Sequence, residues 1–360
     1  MTLLFSPLPL ARGPALKNRF MLAPLTNLQS HADGTLSDDE LRWLTYRAEG
    51  GFGLTMTCAA HVQAKGQGFP GQLGVFGDEH LPGLTRLAAA LNKAGTHSVV
   101  QLHHAGMRSP KELIGEAPHC PSANEEFGAW PMSLDEVKQS RDAFIAAARR
   151  AEKAGFHGAE LHGAHGYLIC QFLSSEVNQR TDEYGGSFEN RARFLYECID
   201  GVRAECGKDF SLGVRLSPER FGMDIGEILG LASALLNDPR IDYLDMSLWD
   251  AFKEPQDEAH KGKSLVEWFG ALPRGTCHLG AAGKITTGQA CRDAMDAGLD
   301  FVIIGRGAIL HHDFPEQVQA DPDFIPHPLP VPEAHLRAER LGEAFVSYMK
   351  TWKGFVEETA

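Results

Sequence analysis

The sequence has no run of about 18 apolar residues, the length a helix needs to cross a bilayer, so no membrane partner is expected. It also lacks a basic block: 34 Lys and Arg stand against 47 Asp and Glu, a net charge of −13 with histidine neutral. An acidic surface repels phosphate backbones, so no nucleic acid is expected as a partner. The opening Met1-Thr2-Leu3-Leu4-Phe5-Ser6-Pro7 lacks a cationic start and a sustained apolar stretch, which excludes a secretory signal. The seven cysteines include no Cys-x-x-Cys pair, which argues against a disulfide framework, a zinc ribbon or a clustered iron–sulfur site. No Gly-x-Gly-x-x-Gly turn follows an early strand, and no Pro-, Gly- or Ser-rich linker divides the chain. The expectation is one cytoplasmic globular unit.

What is present is a rhythm of amphipathic segment, glycine and short apolar run. It appears at Lys93-Ala94-Gly95, Lys153-Ala154-Gly155 and Asp296-Ala297-Gly298, and more loosely at Ala48-Glu49-Gly50-Gly51. A glycine just past a helix is a left-handed cap, so each unit reads helix, cap, buried strand. Ser37-x-x-Glu40, Ser133-x-x-Glu136 and Thr286-x-x-Gln289 have capping-box spacing at helix starts. Eight apolar runs read as strands buried on both faces: 19–24, 53–58, 97–102, 157–162, 211–216, 241–246, 276–280 and 300–305. The fold class is therefore α/β, a single (β/α)8 TIM barrel over residues 1–330. Pro328, Pro330 and Pro332 then lead into a C-terminal helical extension, residues 331–360, with a helix expected from Glu333 to Trp352.

In such a barrel the active site lies at the C-terminal strand ends. Six of those ends are polar or glycine-rich: Pro24-Leu25-Thr26, Gln101-Leu102-His103-His104, His162 to Tyr167, Arg215, Gly283-Lys284 and Gly305-Arg306-Gly307. The last two loops let backbone N–H groups approach a phosphate, with Arg306 and Lys284 adding charge. Arg215 has no carboxylate on its own strand to neutralise it, which favours a ligand.

The stretch His162-Gly163-Ala164-His165-Gly166-Tyr167-Leu168-Ile169, followed by Gln171-Phe172-Leu173-Ser174, resembles the signature of the old yellow enzyme family of FMN-dependent ene-reductases. The resemblance continues through Asn178, Arg180 to Ser187 and Glu189-Asn190-Arg191, and adds Leu16 to Arg19, Ala23 to Thr26 and Val100 to Leu102. It implies FMN across the barrel mouth, its phosphate on the Gly283 and Gly305-Arg306 loops. Gln101 would meet the pyrimidine edge, Arg215 the N1 and O2 end, and Thr26 the C4 carbonyl, with Pro24 and Ala59 lining the ring. NADH or NADPH would reduce the flavin. Flavin N5 would then pass hydride to an α,β-unsaturated carbonyl or nitro compound, a small-molecule activated alkene. His162 and His165 would bind its oxygen as an oxyanion hole does, and Tyr167 would protonate the α-carbon.

Nitro-ester or xenobiotic reduction, or oxidative demethylation, are alternatives on the same scaffold. A further one, from residue types alone, is a metal-dependent barrel hydrolase using His103, His104, His162 and His165. The resemblance assigns no metal, and leaves a monomer or a homodimer open. The tail with Arg337, Arg340, Tyr348 and Trp352 does not match the short tail by which some relatives send an arginine into a neighbouring subunit's site.

Overall fold

Eight parallel strands close into a barrel in the computed structural model, which describes residues 3–358. In chain order they are β1 (Phe20–Leu22), β2 (Leu54–His61), β3 (His97–His103), β4 (Gly158–Gly163), β5 (Ser211–Leu216), β6 (Tyr243–Ser247), β7 (His278–Ala282) and β8 (Phe301–Ile304). Each pairs with its sequence neighbours, and β8 closes on β1. All eight expected strands form, and the helices between them turn apolar faces onto the outside of the sheet. Their glycine exits behave as the rhythm implies: Gly51, Gly95, Gly155 and Gly298 all have positive φ.

The helix starts match less evenly. Ser133 makes a complete capping box with Glu136 ahead of helix Leu134–Lys153. Ser37 caps helix Asp38–Glu49, but the Glu40 side chain turns into the core, where Ser30, Asn27 and Cys58 donate to it. Before helix Gly288–Asp296 the cap is Thr287, one residue later than the spacing suggested.

Leu8, Leu16, Met21, Ala23, Leu54, Met56, Val99, Phe301 and Ile303 form an apolar cluster within the barrel. Leu8 and Leu16 bridge each other in an N-terminal hairpin that packs into this cluster. The polar strand ends lie at the opposite rim, which fixes where a ligand enters.

Beyond the barrel the tail is two helices, Glu333–Ala338 and Glu343–Lys350, rather than one. The chain breaks at Arg340, whose φ is +63°. Fully buried Arg47 donates to the Glu339 carbonyl at 2.7 Å and to the Ala308 carbonyl at 3.0 Å, tying tail to barrel. Trp43 and Phe345 stack edge to face at 5.3 Å, and the Gly342 N–H donates to Gln29 Oε1 at 2.8 Å.

Candidate active site

One cavity of about 560 Å³ opens at the C-terminal rim, within the ~300–1,000 Å³ range of ligand pockets. Pro24, Thr26, Ala59, Gln101, His162, His165, Tyr167, Arg215, Gly283, Gly305 and Arg306, the residues singled out from sequence, all line it. His103 and His104 do not: Gln72 Nε2 meets His103 Nδ1 at 3.0 Å, and His104 Nδ1 accepts the Gly106 N–H at 3.0 Å. Among the described residues no three His, Cys, Asp or Glu side chains are placed to share an ion, so the four imidazoles do not form the metal cluster of the hydrolase alternative.

A bulge in β2 explains Ala59. The β2–β3 register slips between Met56 and Ala59, setting Ala59 opposite Gln101, while Thr57 Oγ1 accepts the Gln101 N–H at 3.2 Å. On β4, His162 is followed by a left-handed pair, His165 at φ +62° and Gly166 at +72°. Strain of this kind in a non-glycine residue persists where the surroundings enforce it. Here the His165 N–H donates to Ser217 Oγ at 3.0 Å, and Gln171 Nε2 donates to the Gly166 carbonyl at 2.7 Å. The pair swings the chain from β4 into helix Leu168–Leu173, leaving His162, His165 and Tyr167 together. Their ring centroids lie 5.0 Å apart for His162 and His165, 5.2 Å for His162 and Tyr167, and 6.3 Å for His165 and Tyr167.

Burial sets the protonation of all three. It drives His162 well below the usual imidazole range, and the neighbouring His165 and His103 rings further disfavour a second proton there. His165 is lowered to about 3, by burial first and then by Arg215 and Arg108. Both rings are neutral at physiological pH. The Ala164 N–H points at His162 Nδ1 at 3.4 Å, so Nε2 carries the hydrogen. Burial raises the Tyr167 phenol against the opposing charge of Arg108, and the phenol stays protonated.

Arg215 corrects one expectation. Its own strand offers no carboxylate, but Asp245 on β6 stands opposite in register, with Oδ2 3.1 Å from Arg215 Nε. The two are close enough for an ion pair yet not aligned as a hydrogen bond. Arg215 Nη2 donates to Ser247 Oγ at 3.3 Å.

The glycine loops differ from each other. Gly283 has φ +155°, and a Cβ there would lie 2.9 Å from the Ala251 nitrogen, so the turn itself demands glycine. At Gly305 a Cβ would make ordinary contacts, at 3.7 Å with Leu25 and 3.8 Å with Ala23. Packing against neighbouring side chains does not ask for glycine at 305. The missing side chain leaves that peptide open to the cavity, at the start of helix Arg306–Leu310. A phosphate with a flat heterocycle fits this cradle and the polar rim of Gln101 and Arg215. Lys284, the other candidate cation, is held 2.7 Å from Asp250 at the cavity edge.

Comparison with known proteins decides the family. The family model described as NADH:flavin oxidoreductase / NADH oxidase matches residues 3–322. The chain belongs to that family. Among its relatives, the probable NADH-dependent flavin oxidoreductase YqiG of Bacillus subtilis is 34% identical over 88% of this chain and 87% of the relative. NADPH dehydrogenase of Bacillus pumilus is 36% identical over 88% of this chain and 94% of the relative. The solved old yellow enzyme homologue from Zymomonas mobilis superposes with a TM-score of 0.79 at 27% identity, over 96% of this chain and 99% of that one. Two further relatives are longer proteins, of which the chain spans 40% and 52%. The protein is thus an FMN-dependent NAD(P)H oxidoreductase of the old yellow enzyme family. No helix among the described residues is long and apolar enough to cross a membrane.

Phe69, Ser247, Trp249, Tyr348 and Trp352 are among the cavity residues that the sequence reading did not place there. Ser247 ends β6 and could have been found by the same strand-end logic. The two tail aromatics carry no such signal.

Proposed function

We propose that this oxidoreductase reduces activated C=C bonds of α,β-unsaturated carbonyl or nitro compounds, with NADH or NADPH as reductant. FMN, when bound, would supply the hydride chemistry between the nicotinamide and the substrate β-carbon. Pro24, Thr26, Ala59, Gln101 and Arg215 would hold its ring, and Gly283, Gly305 and Arg306 its phosphate. Arg215 supplies permanent positive charge at the pyrimidine end. His162 and His165 act as neutral N–H donors to the substrate oxygen, where negative charge grows as the alkene is reduced. Tyr167 keeps its proton in reserve and gives it to the α-carbon.

The observation that carries this reading is the grouping of His162, His165 and Tyr167, 5.0 to 6.3 Å apart, on the same cavity as the eight cofactor residues. Anaerobic NADPH should bleach the holoprotein, and 2-cyclohexenone should restore its colour. Bleaching that no enone or nitroalkene reverses would overturn the proposal. The same reading places the protein in the cytoplasm, where seven free cysteines, six of them buried, suit a reducing medium.

A further inference from the structure

Behind the cavity wall lies a polar layer that the proposed reaction leaves unused. In the β3–β4 register Gln101 faces Glu160, and in the β5–β6 register Arg215 faces Asp245. Gln101 borders the cavity; Glu160 and Asp245 are completely buried behind it. A buried carboxyl is costly unless it is hydrogen-bonded and paired or protonated.

Gln101 Nε2 donates to Glu160 Oε1 at 2.8 Å. Among the described residues the other end of that amide, Oε1, takes no hydrogen bond. The second carboxyl oxygen, Glu160 Oε2, is buried beside the Tyr243 hydroxyl. Tyr243 reaches that place because β5 has glycine at 213, where a Cβ would stand 2.2 Å from the phenol ring. Burial, reinforced by the Asp245 charge, raises the Glu160 carboxyl well above the usual range. A proton on Oε2 leaves Oε1 as the acceptor for the amide, so the arrangement holds in either protonation state.

A free glutamine amide can turn either end toward a ligand. We infer that Glu160 is a positioning residue, which pins the Gln101 amide through Nε2 and so presents its carbonyl oxygen to the cavity as a hydrogen-bond acceptor. The inference rests on the reading that Gln101 meets the flavin pyrimidine edge, and makes that edge's N3–H the group recognised. A site built to hydrogen-bond an N–H rejects an analogue that lacks it.

The test compares dissociation constants of FMN and 3-methyl-FMN, measured by flavin fluorescence quenching on reconstitution of the apoprotein. The unaltered protein should favour FMN by about 100-fold. Gln101→Leu should lose that preference; if it does not, the reading of Gln101 fails. Given that control, Glu160→Met should reduce the preference to about threefold or less, and Glu160→Gln, which keeps an acceptor oxygen, should restore most of it. A preference that survives Glu160→Met but not Gln101→Leu overturns the inference alone. Should Glu160→Met fail to fold, Glu160→Ala removes the same acceptor without its bulk. It should lower the preference at least about threefold, and no change there overturns the inference equally.

Discussion

His165 Nε2 lies 2.7 Å from Ser247 Oγ. Since Arg215 already donates to that oxygen, the serine hydroxyl hydrogen is free to point at the imidazole. His165 then carries its own hydrogen on Nδ1. His162, by contrast, receives a backbone N–H at Nδ1 and keeps its hydrogen on Nε2. The two rings are thus oriented by different neighbours. Ser247→Ala should free the His165 tautomer and weaken binding of a phenolate ligand such as p-hydroxybenzaldehyde about fivefold, the net worth of one hydrogen bond. Titration of the long-wavelength charge-transfer band would measure it, and an unchanged affinity would show that Ser247 does not orient the ring.

Removing the donors themselves should cost more. His162→Ala or His165→Ala should each slow alkene reduction by about 100-fold, the loss of roughly 3 kcal/mol typical of one oxyanion donor. Bound FMN per chain should stay near stoichiometric. Stopped-flow reoxidation by 2-cyclohexenone, with flavin content measured after heat release, separates the two effects.

Tyr167→Phe should leave bleaching by NADPH within about twofold while slowing reoxidation by the alkene about 100-fold or more, since only the second step needs its proton. Because burial raises this phenol above its ordinary 10, the rate in the unaltered enzyme should not fall through pH 9. Equal loss in both half-reactions would assign Tyr167 a structural part instead.

Acid should destabilise the fold through its histidines. Burial holds His61 and His97 at about 4, His104 and His165 at about 3, and His103 and His162 well below 6.5. Below 6.5 the unfolded chain takes up protons that the folded chain refuses, so stability falls as pH drops. Each fully neutral histidine accounts for about 2 kcal/mol by pH 5. The buried carboxyls act in the opposite sense: Glu40, Glu160 and Asp245 (pushed up to about 6) take up protons in the folded state first, and so regain stability over the same window. Six histidines outweigh three carboxyls. The urea midpoint should be lower at pH 5.0 than at 7.5, and a higher midpoint in acid would contradict this account.

Much of the site could be read from sequence because a parallel barrel ties function to strand ends. Once eight buried runs are counted, Gln101, His162, Arg215 and Gly305 fall on one rim without further information. Local rules were sufficient there. They failed where a contact depends on distant chain: Asp245 neutralises Arg215 from the next strand, and the Glu40 carboxylate leaves its cap to bond Ser30 and Asn27. The break at Arg340 likewise follows from docking, since Arg47, nearly three hundred residues earlier, holds the Glu339 carbonyl.

That docking shapes the cavity. Helix Glu343–Lys350 brings Tyr348 and Trp352 into the wall of the cavity, their rings 5.9 Å apart at 78°. The same strand-end residues therefore share the cavity with an aromatic wall from the tail of their own chain. Phe355 braces Trp352 at 5.6 Å, and Phe345 is anchored on Trp43, so the wall is fixed by packing. Trp352→Ala should remove about 0.5–1.5 kcal/mol of aromatic contact and raise KM for 2-cyclohexenone a few-fold. A bulky bicyclic enone should gain relative to it, because the space vacated admits the second ring. The ratio of kcat/KM for the two substrates is the measurement. A ratio unmoved by Trp352→Ala and by Tyr348→Ala would make the tail a brace for the barrel and leave the choice of alkene to the rim.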